Sequence, residues 1–255
     1  MRIASRIQFV VALVWTFIGG QAVWAGDTIR PIESCSVLDA QSNSSYVLVR
    51  NIFSSGQNCL VVNASNITID LRGFSIVGNG NGVGIVANIP VEGITVRNGI
   101  VKGFAVGISL GGSGNLVEEM HVDNNTDTGM LLGTSSIVHH VIAQGNLNNG
   151  IIVTAAGTIK DSVLRFNGNN PASVGLSAGS GSTVTGNTIW GSIGTGLFAS
   201  LGSTVMGNSV SDTNPGVGMS IICPSNVKDN TATANTSANL VLTGEGCNVI
   251  DNVAP

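Results

Sequence analysis

The sequence predicts an all-β solenoid, a rod of short strands stacked coil upon coil. Three observations carry this: a composition rich in Gly and poor in charge yet hydrophobic, two landmarks that recur with one shared period, and brief runs of alternating polarity between turn-forming residues. Of 255 residues, 35 are Gly and only 9% are charged, while 43% are hydrophobic. A disordered chain needs low hydrophobicity and high net charge, which this chain lacks. A nucleic-acid binder needs a basic face; ten Lys and Arg against fourteen Asp and Glu exclude it. A helical bundle needs helix formers and charged outer faces, and neither is present.

From the N-terminus, residues 1–25 read as a secretory signal peptide. Arg2 and Arg6 form a positive start, an apolar run ends at Gly19-Gly20, and Val23-Trp24-Ala25 supplies a cleavage site. The run is too short for the ~20 residues of a membrane span. Its removal takes the formal net charge from −4 to −6 and leaves Trp190 as the sole tryptophan. The sequence therefore predicts a secreted, periplasmic or cell-surface protein with no span after cleavage. Residues 26–255 form a single domain on this reading.

The body of the chain is a repeat. A Gly-aliphatic pair recurs at Gly84-Ile85, Gly107-Ile108, Gly129-Met130, Gly150-Ile151, Gly175-Leu176, Gly196-Leu197 and Gly218-Met219, and Asn239-Leu240 continues it. A second landmark is aliphatic: Leu116, Ile137, Ile159, Val184, Val205, Val227 and Val249. Both step by 21–25 residues, and both take their 25-residue step at the same place. Runs such as Thr183-Val184-Thr185 and Thr188-Ile189-Trp190 alternate with period two, as strands do. Gly, Asn, Asp and Ser between them tolerate the left-handed backbone of tight turns. A strand of a few residues cannot bury its face alone, so coils must stack around a column of Val, Ile and Leu. About nine coils at ~4.8 Å each make a rod on the order of 40 Å long. Leucine-rich repeats would need Leu at several fixed positions, and outer-membrane barrels need aromatic girdles. The sequence has neither.

Asn187, Asn208, Asn230 and Asn252 each follow the aliphatic landmark by three residues. Stacked at one turn, their amides would hydrogen-bond from coil to coil, as in the Asn ladders of other stacked sheets.

The stretch Val62–Ile76, with Asn66-Ile67-Thr68-Ile69-Asp70-Leu71 ahead of Gly73-Phe74, resembles the opening coil of secreted bacterial right-handed parallel β-helix repeat proteins of the pectate-lyase-like superfamily. The Gly-aliphatic and Asn-x-aliphatic units of the later coils are similar to that family's repeats. The resemblance spans roughly residues 30–255 and implies a right-handed parallel β-helix with coils of about 21–25 residues. It implies no particular enzyme family. Polygalacturonase-like hydrolases carry an Asn-Thr-Asp string, a paired Asp, Gly-His-Gly and Arg-Ile-Lys; only Asn125-Thr126-Asp127 has a counterpart here. Pectate-lyase-like enzymes hold calcium with acidic residues and take a proton with a basic one. Asp123 and Asp127 with Arg165 imitate that set without its motif, so calcium enters only under the lyase alternative. No other cofactor and no metal site is expected.

The four cysteines, Cys35, Cys59, Cys223 and Cys247, allow three pairings. Zinc would want closer Cys or His pairs. Cys223 and Cys247 precede successive landmarks, so they fall at one corner a coil apart, within reach of a disulfide. By analogy Cys35–Cys59 clips the first coil. Each loop would give about 3 kcal/mol in the chain-entropy model.

Ionisable residues gather on three coils. Glu118, Glu119, His121, Asp123 and Asp127 share one coil, His139 and His140 the next, and Lys160, Asp161 and Arg165 the third. Counted from the aliphatic landmark, Glu119, His140 and Ser162 are equivalent, as are Glu118, His139 and Asp161. The sequence thus predicts one patch along an edge, with the insertion Asn167–Ser173 over it. Carboxylate beside imidazole suits general acid–base chemistry, and charged pairs across coils also suit an ordinary solvated turn. No catalytic residue is assigned; candidates are Glu119, His140, Asp161 and Arg165. Candidate binding residues are Glu118, His121, Asp123, His139, Lys160 and Trp190. Two functions stand: a non-catalytic exported protein that binds glycan or a cell-envelope partner or serves a structural role, and a lyase, hydrolase or epimerase acting on an acidic polysaccharide.

Overall fold

The computed structural model describes residues 29–38, 42–88 and 90–255, so the signal-peptide reading lies outside the described residues. Each coil but the last carries three strand segments, as in Ile151–Val153, Thr158–Lys160 and Val163–Arg165. The first belongs to a ten-stranded sheet, which sets the count at ten coils. The other two form two columns of an eighteen-stranded sheet. Strands Thr95–Lys102 and Leu116–Asp123 run through both columns and join them. Each strand pairs in parallel with its equivalent in the next coil. Among the described residues there is no helix, and none is long and apolar enough to cross a membrane.

The Gly-aliphatic landmark holds through the stack. Ile85, Ile108, Met130, Ile151, Leu176, Leu197, Met219 and Leu240 pair in succession. All but Leu240 in the last coil are buried. The second landmark holds from Ile159 onward and slips by one residue before it. The buried column is Val117, Val138, Ile159, Val184, Val205 and Val227. Leu116 and Ile137 stand one place earlier and face outward, with Ile137 42% exposed. Leu116-Val117 and Ile137-Val138 each place two aliphatics side by side, so hydropathy alone cannot choose the inward one, and a one-residue shift turns a strand over. The 25-residue step is real: Ile151 pairs with Leu176 and Ile159 with Val184. The extra residues bulge between Asn167 and Ser173. Burying each aliphatic in these columns contributes roughly 1.5–3 kcal/mol.

Turns repeat as faithfully as strands. At the corner joining the two columns, Arg72, Asn98, Glu119, His140, Asp161, Gly186, Gly207, Asp229 and Asp251 all have left-handed backbone. The Gly-aliphatic glycines have a different reason to be Gly, since none of them adopts a positive φ. A Cβ on Gly150 would stand 2.3 Å from the carbonyl oxygen of Gly175 and 3.0 Å from the Asn167 amide nitrogen. Close approach of one coil to the next excludes a side chain there.

The expected Asn ladder is present. Asn187 Nδ2 donates to Asn208 Oδ1 at 3.0 Å, Asn208 to Asn230 at 3.0 Å and Asn230 to Asn252 at 2.8 Å. Each Oδ1 also accepts the backbone N–H of the preceding rung. The second hydrogen of each donating amide goes to a strand carbonyl, as Asn208 does to Val184 at 2.9 Å. A further ladder at another corner, Asn125–Asn146–Asn167, was not read from the sequence. Asn125 is thereby a structural rung, which accounts for the Asn in Asn125-Thr126-Asp127 without any catalytic role.

Both disulfides form, Cys35–Cys59 with Cα atoms 4.4 Å apart and Cys223–Cys247 at 4.9 Å. Thiol titration of the denatured protein, prepared under oxidising conditions, is expected to find no free thiol; four would contradict the pairing. Asn208→Ala leaves buried ladder partners unpaired, a cost of roughly 1–3 kcal/mol. The expected fall in melting temperature is several degrees, at about 2–4 °C per kcal/mol, and an unchanged melting temperature counts against the ladder.

Candidate functional site

The ionisable residues do not form one patch. Strand register sorts them onto two faces and the corner between them. On the first face, Asp70, Arg97, Glu118, His139 and Lys160 stack in one column. Lys160, and not Asp161, is therefore the equivalent of His139. The alternating signs suit ion pairing across coils, and Arg97 Nε lies 3.3 Å from Asp70 Oδ2. Charge pairs of this kind on open sheets contribute little to stability.

The corner holds Glu119, His140 and Asp161, one per coil, each in left-handed backbone. Asp161, and not Ser162, is the equivalent of His140. The shift follows from the one-residue slip in the landmark. The His139 and His140 rings stack with centroids 3.7 Å apart, and His139 Nε2 lies 3.4 Å from Asp161 Oδ2. Glu119 and His121 line a shallow groove of about 360 Å³ with Asn98 and Gly99.

The second face carries the remaining candidates. Lys102, Asp123, Gln144, Arg165, Trp190 and Ser211 form one outward column. His121 stands two residues before Asp123 on the same strand and so on the same face. Burial pushes the Asp123 carboxyl above the usual aspartate value, and His121, Lys102 and Arg165 pull it back in that order. Asp123 Oδ1 and Arg165 Nε are both buried and have no hydrogen-bond partner among the described residues. Buried polar atoms are ordinarily paired, and the Ser192, Ser203 and Thr213 hydroxyls share this unpaired state. Trp190 stands one coil beyond Arg165, and its Nε1 donates to Asp212.

Phe166 completes this face and was not singled out in the sequence. It packs edge-on against Trp190 with ring centroids 4.5 Å apart, and it is 50% exposed where Trp190 is 39%. Its φ of 53° is left-handed, which costs a residue with a Cβ roughly 1–2 kcal/mol. The same corner position is Gly103, Gly145 and Gly191 in other coils. With Asn124 and Asp212 at the same left-handed position, an aromatic residue in a column otherwise of small or polar residues was the signal available. The Phe166 ring lies over Gly191, where a Cβ would stand 2.8 Å from it. The insertion begins directly after Phe166, so it borders this face and not the histidine pair. Asp127 is engaged elsewhere: its Oδ1 accepts from Asn148 at 2.9 Å and from the Thr128 hydroxyl at 3.2 Å.

These features belong to a known architecture. A family model described as a right-handed β-helix region matches residues 107–254. The chain belongs to that family. No curated protein matches the sequence. Among solved structures, the Dettilon tailspike protein is similar with a TM-score of 0.61 at 12% identity, over 88% of this chain and 61% of that one. The chain thus spans less than two thirds of the tailspike's length. The A-module of a mannuronan C-5 epimerase from Azotobacter vinelandii is similar with a TM-score of 0.57 at 12% identity, over 88% of this chain and 80% of that module. A periplasmic alginate epimerase has a TM-score of 0.54 at 10% identity, over 84% of this chain and 70% of the enzyme. At these identities the likeness is one of fold.

Asp123→Asn tests the electrostatics. A carboxyl whose folded pKa is raised favours the folded state below its unfolded pKa, and that share is lost as pH rises through the folded value. Asn imitates the protonated form. The variant is expected to melt above the parent at about pH 7 and to lose that advantage below about pH 3.5. A variant that melts below the parent at neutral pH overturns this account.

Proposed function

We propose that this chain is an exported glycan-binding β-helix protein whose binding surface is the second face. The observation that carries the reading is the column Lys102–Asp123–Gln144–Arg165–Trp190 with Phe166 at its side. Four coil steps of ~4.8 Å give this column a length of about 19 Å, which suits an extended run of sugar units. The exposed Trp190 and Phe166 rings offer an apolar surface for a sugar face. Arg165 and Lys102 offer cationic donors to a uronate carboxylate, where charge-assisted hydrogen bonds are the strong ones. The class of ligand is therefore an acidic polysaccharide. The similar solved structures named for mannuronan and alginate epimerases agree with a polysaccharide partner. Two disulfides favour an oxidising location outside the cytosol, which is where the leader expected from the sequence of residues 1–25 would send the chain.

One observation favours catalysis as a second reading. Asp123 is a carboxyl lifted by desolvation, beside His121 and within the column. Such groups serve as general acids or bases. On this reading Asp123 exchanges a proton with a bound uronate while Arg165 holds its carboxylate.

Purified protein is screened against uronate-containing and neutral polysaccharides, with and without calcium, by calorimetry and by product analysis. Binding to the uronate polymers is expected to fall about 10–100-fold in Arg165→Ala, the loss of one charged hydrogen bond, and to weaken in Trp190→Ala. Turnover that disappears in Asp123→Asn while binding persists selects the catalytic reading. Uronate affinity untouched in both Arg165→Ala and Trp190→Ala removes this face from consideration.

A further inference from the structure

A second cluster has no part in that face. His139, His140 and Asp161 each direct one ligand atom into a common space, and these atoms all lie within 4.8 Å of one another. Two elements of the fold bring them together. His139 ends strand Ile137–His139 on the first face, and His140 begins the corner with a left-handed φ of 51°. That turn swings its ring back over its neighbour, which is how two consecutive residues come to stack at 3.7 Å. Asp161 occupies the same corner position one coil later, also at a φ of 51°, and its Oδ2 lies 3.4 Å from His139 Nε2.

We propose that His139, His140 and Asp161 form a binding site for a divalent transition metal ion of the zinc type. Two imidazoles and one carboxylate are a donor set that such ions favour, whereas calcium and magnesium prefer oxygen alone. Tetrahedral zinc with bonds of ~2.0–2.1 Å places its ligand atoms roughly 3.3 Å apart. The His139–Asp161 pair already stands at that separation. His140 and Asp161 are exposed, so a side-chain rotation can close the third distance without moving the backbone. Three protein ligands leave a fourth position for water or for an oxygen of a bound molecule. Lys160 follows His139 in its column and is the cation nearest in register. Glu119 stands one coil before His140 at the same corner and offsets it.

The test uses the full exported chain without an affinity tag, stripped with a chelator. Zinc is titrated by calorimetry, and cobalt(II) is added as a visible-absorbing probe. The expected result is one equivalent of zinc at micromolar affinity, a cobalt d–d band, and a higher melting temperature with zinc. His140→Ala and Asp161→Asn are each expected to weaken binding at least tenfold, roughly the 1.4 kcal/mol that corresponds to that factor, while circular dichroism stays that of the parent. His121→Ala, which removes the one other imidazole, leaves zinc binding in place. Absence of saturable binding at millimolar zinc overturns the proposal, and so does binding that survives in the His140→Ala/Asp161→Asn double variant. Uronate affinity at the second face is scored separately, so failure of either reading leaves the other standing.

Discussion

Everything in this molecule follows from the stacking of each residue on its own counterpart one coil away. At a rise of ~4.8 Å per coil, whatever works at one position must work beside its own kind. Asn satisfies that demand well, because an amide both donates and accepts along the stack, and the buried ladders use it so at two corners. Gly satisfies it where the backbones themselves come closest, as Gly150 does against Gly175. Left-handed residues at equivalent corners bend every coil in the same way, and Val, Ile and Leu fill the columns between.

The same rule governs chemistry. An inward position is committed to the core and a corner position to bending the chain, so outward strand positions hold most of the chain's freedom to vary. Functional groups consequently appear as columns running along the rod. The column through Asp123, Arg165 and Trp190 collects unpaired polar atoms and exposed rings. The column through Arg97, Glu118 and Lys160 collects alternating charge. Phe166 is the one Phe, Tyr or Trp held at positive φ among the described residues, and it stands beside the first of these columns. Backbone strain of this kind persists where the surroundings hold it. Here the ring is held between Trp190 and Gly191.

The fold was legible to a high degree because the repeat is written twice, once in the Gly-aliphatic pairs and once in the aliphatic landmark. The disulfides were legible for the same reason, since one coil separates each pair. The site was less so. A one-residue slip among Leu116-Val117 and Ile137-Val138 shifted Asp161 into the column that belongs to Lys160. The merged patch then spread over two faces and a corner. Phe166, Asp212 and Lys102 escaped notice because nothing local marks them; their meaning depends on which residues lie a coil away.

By itself, then, the sequence determined the coil, its period, its corners and its staples, since these rest on residue types that only one kind of stacking can use. The tertiary structure alone decided which face each ionisable group occupies. That choice depends on strand register, and register comes from simultaneous burial of all coils. It is what parts Arg165 from the histidine pair and moves Asp161 from the column of His139 to the corner of His140.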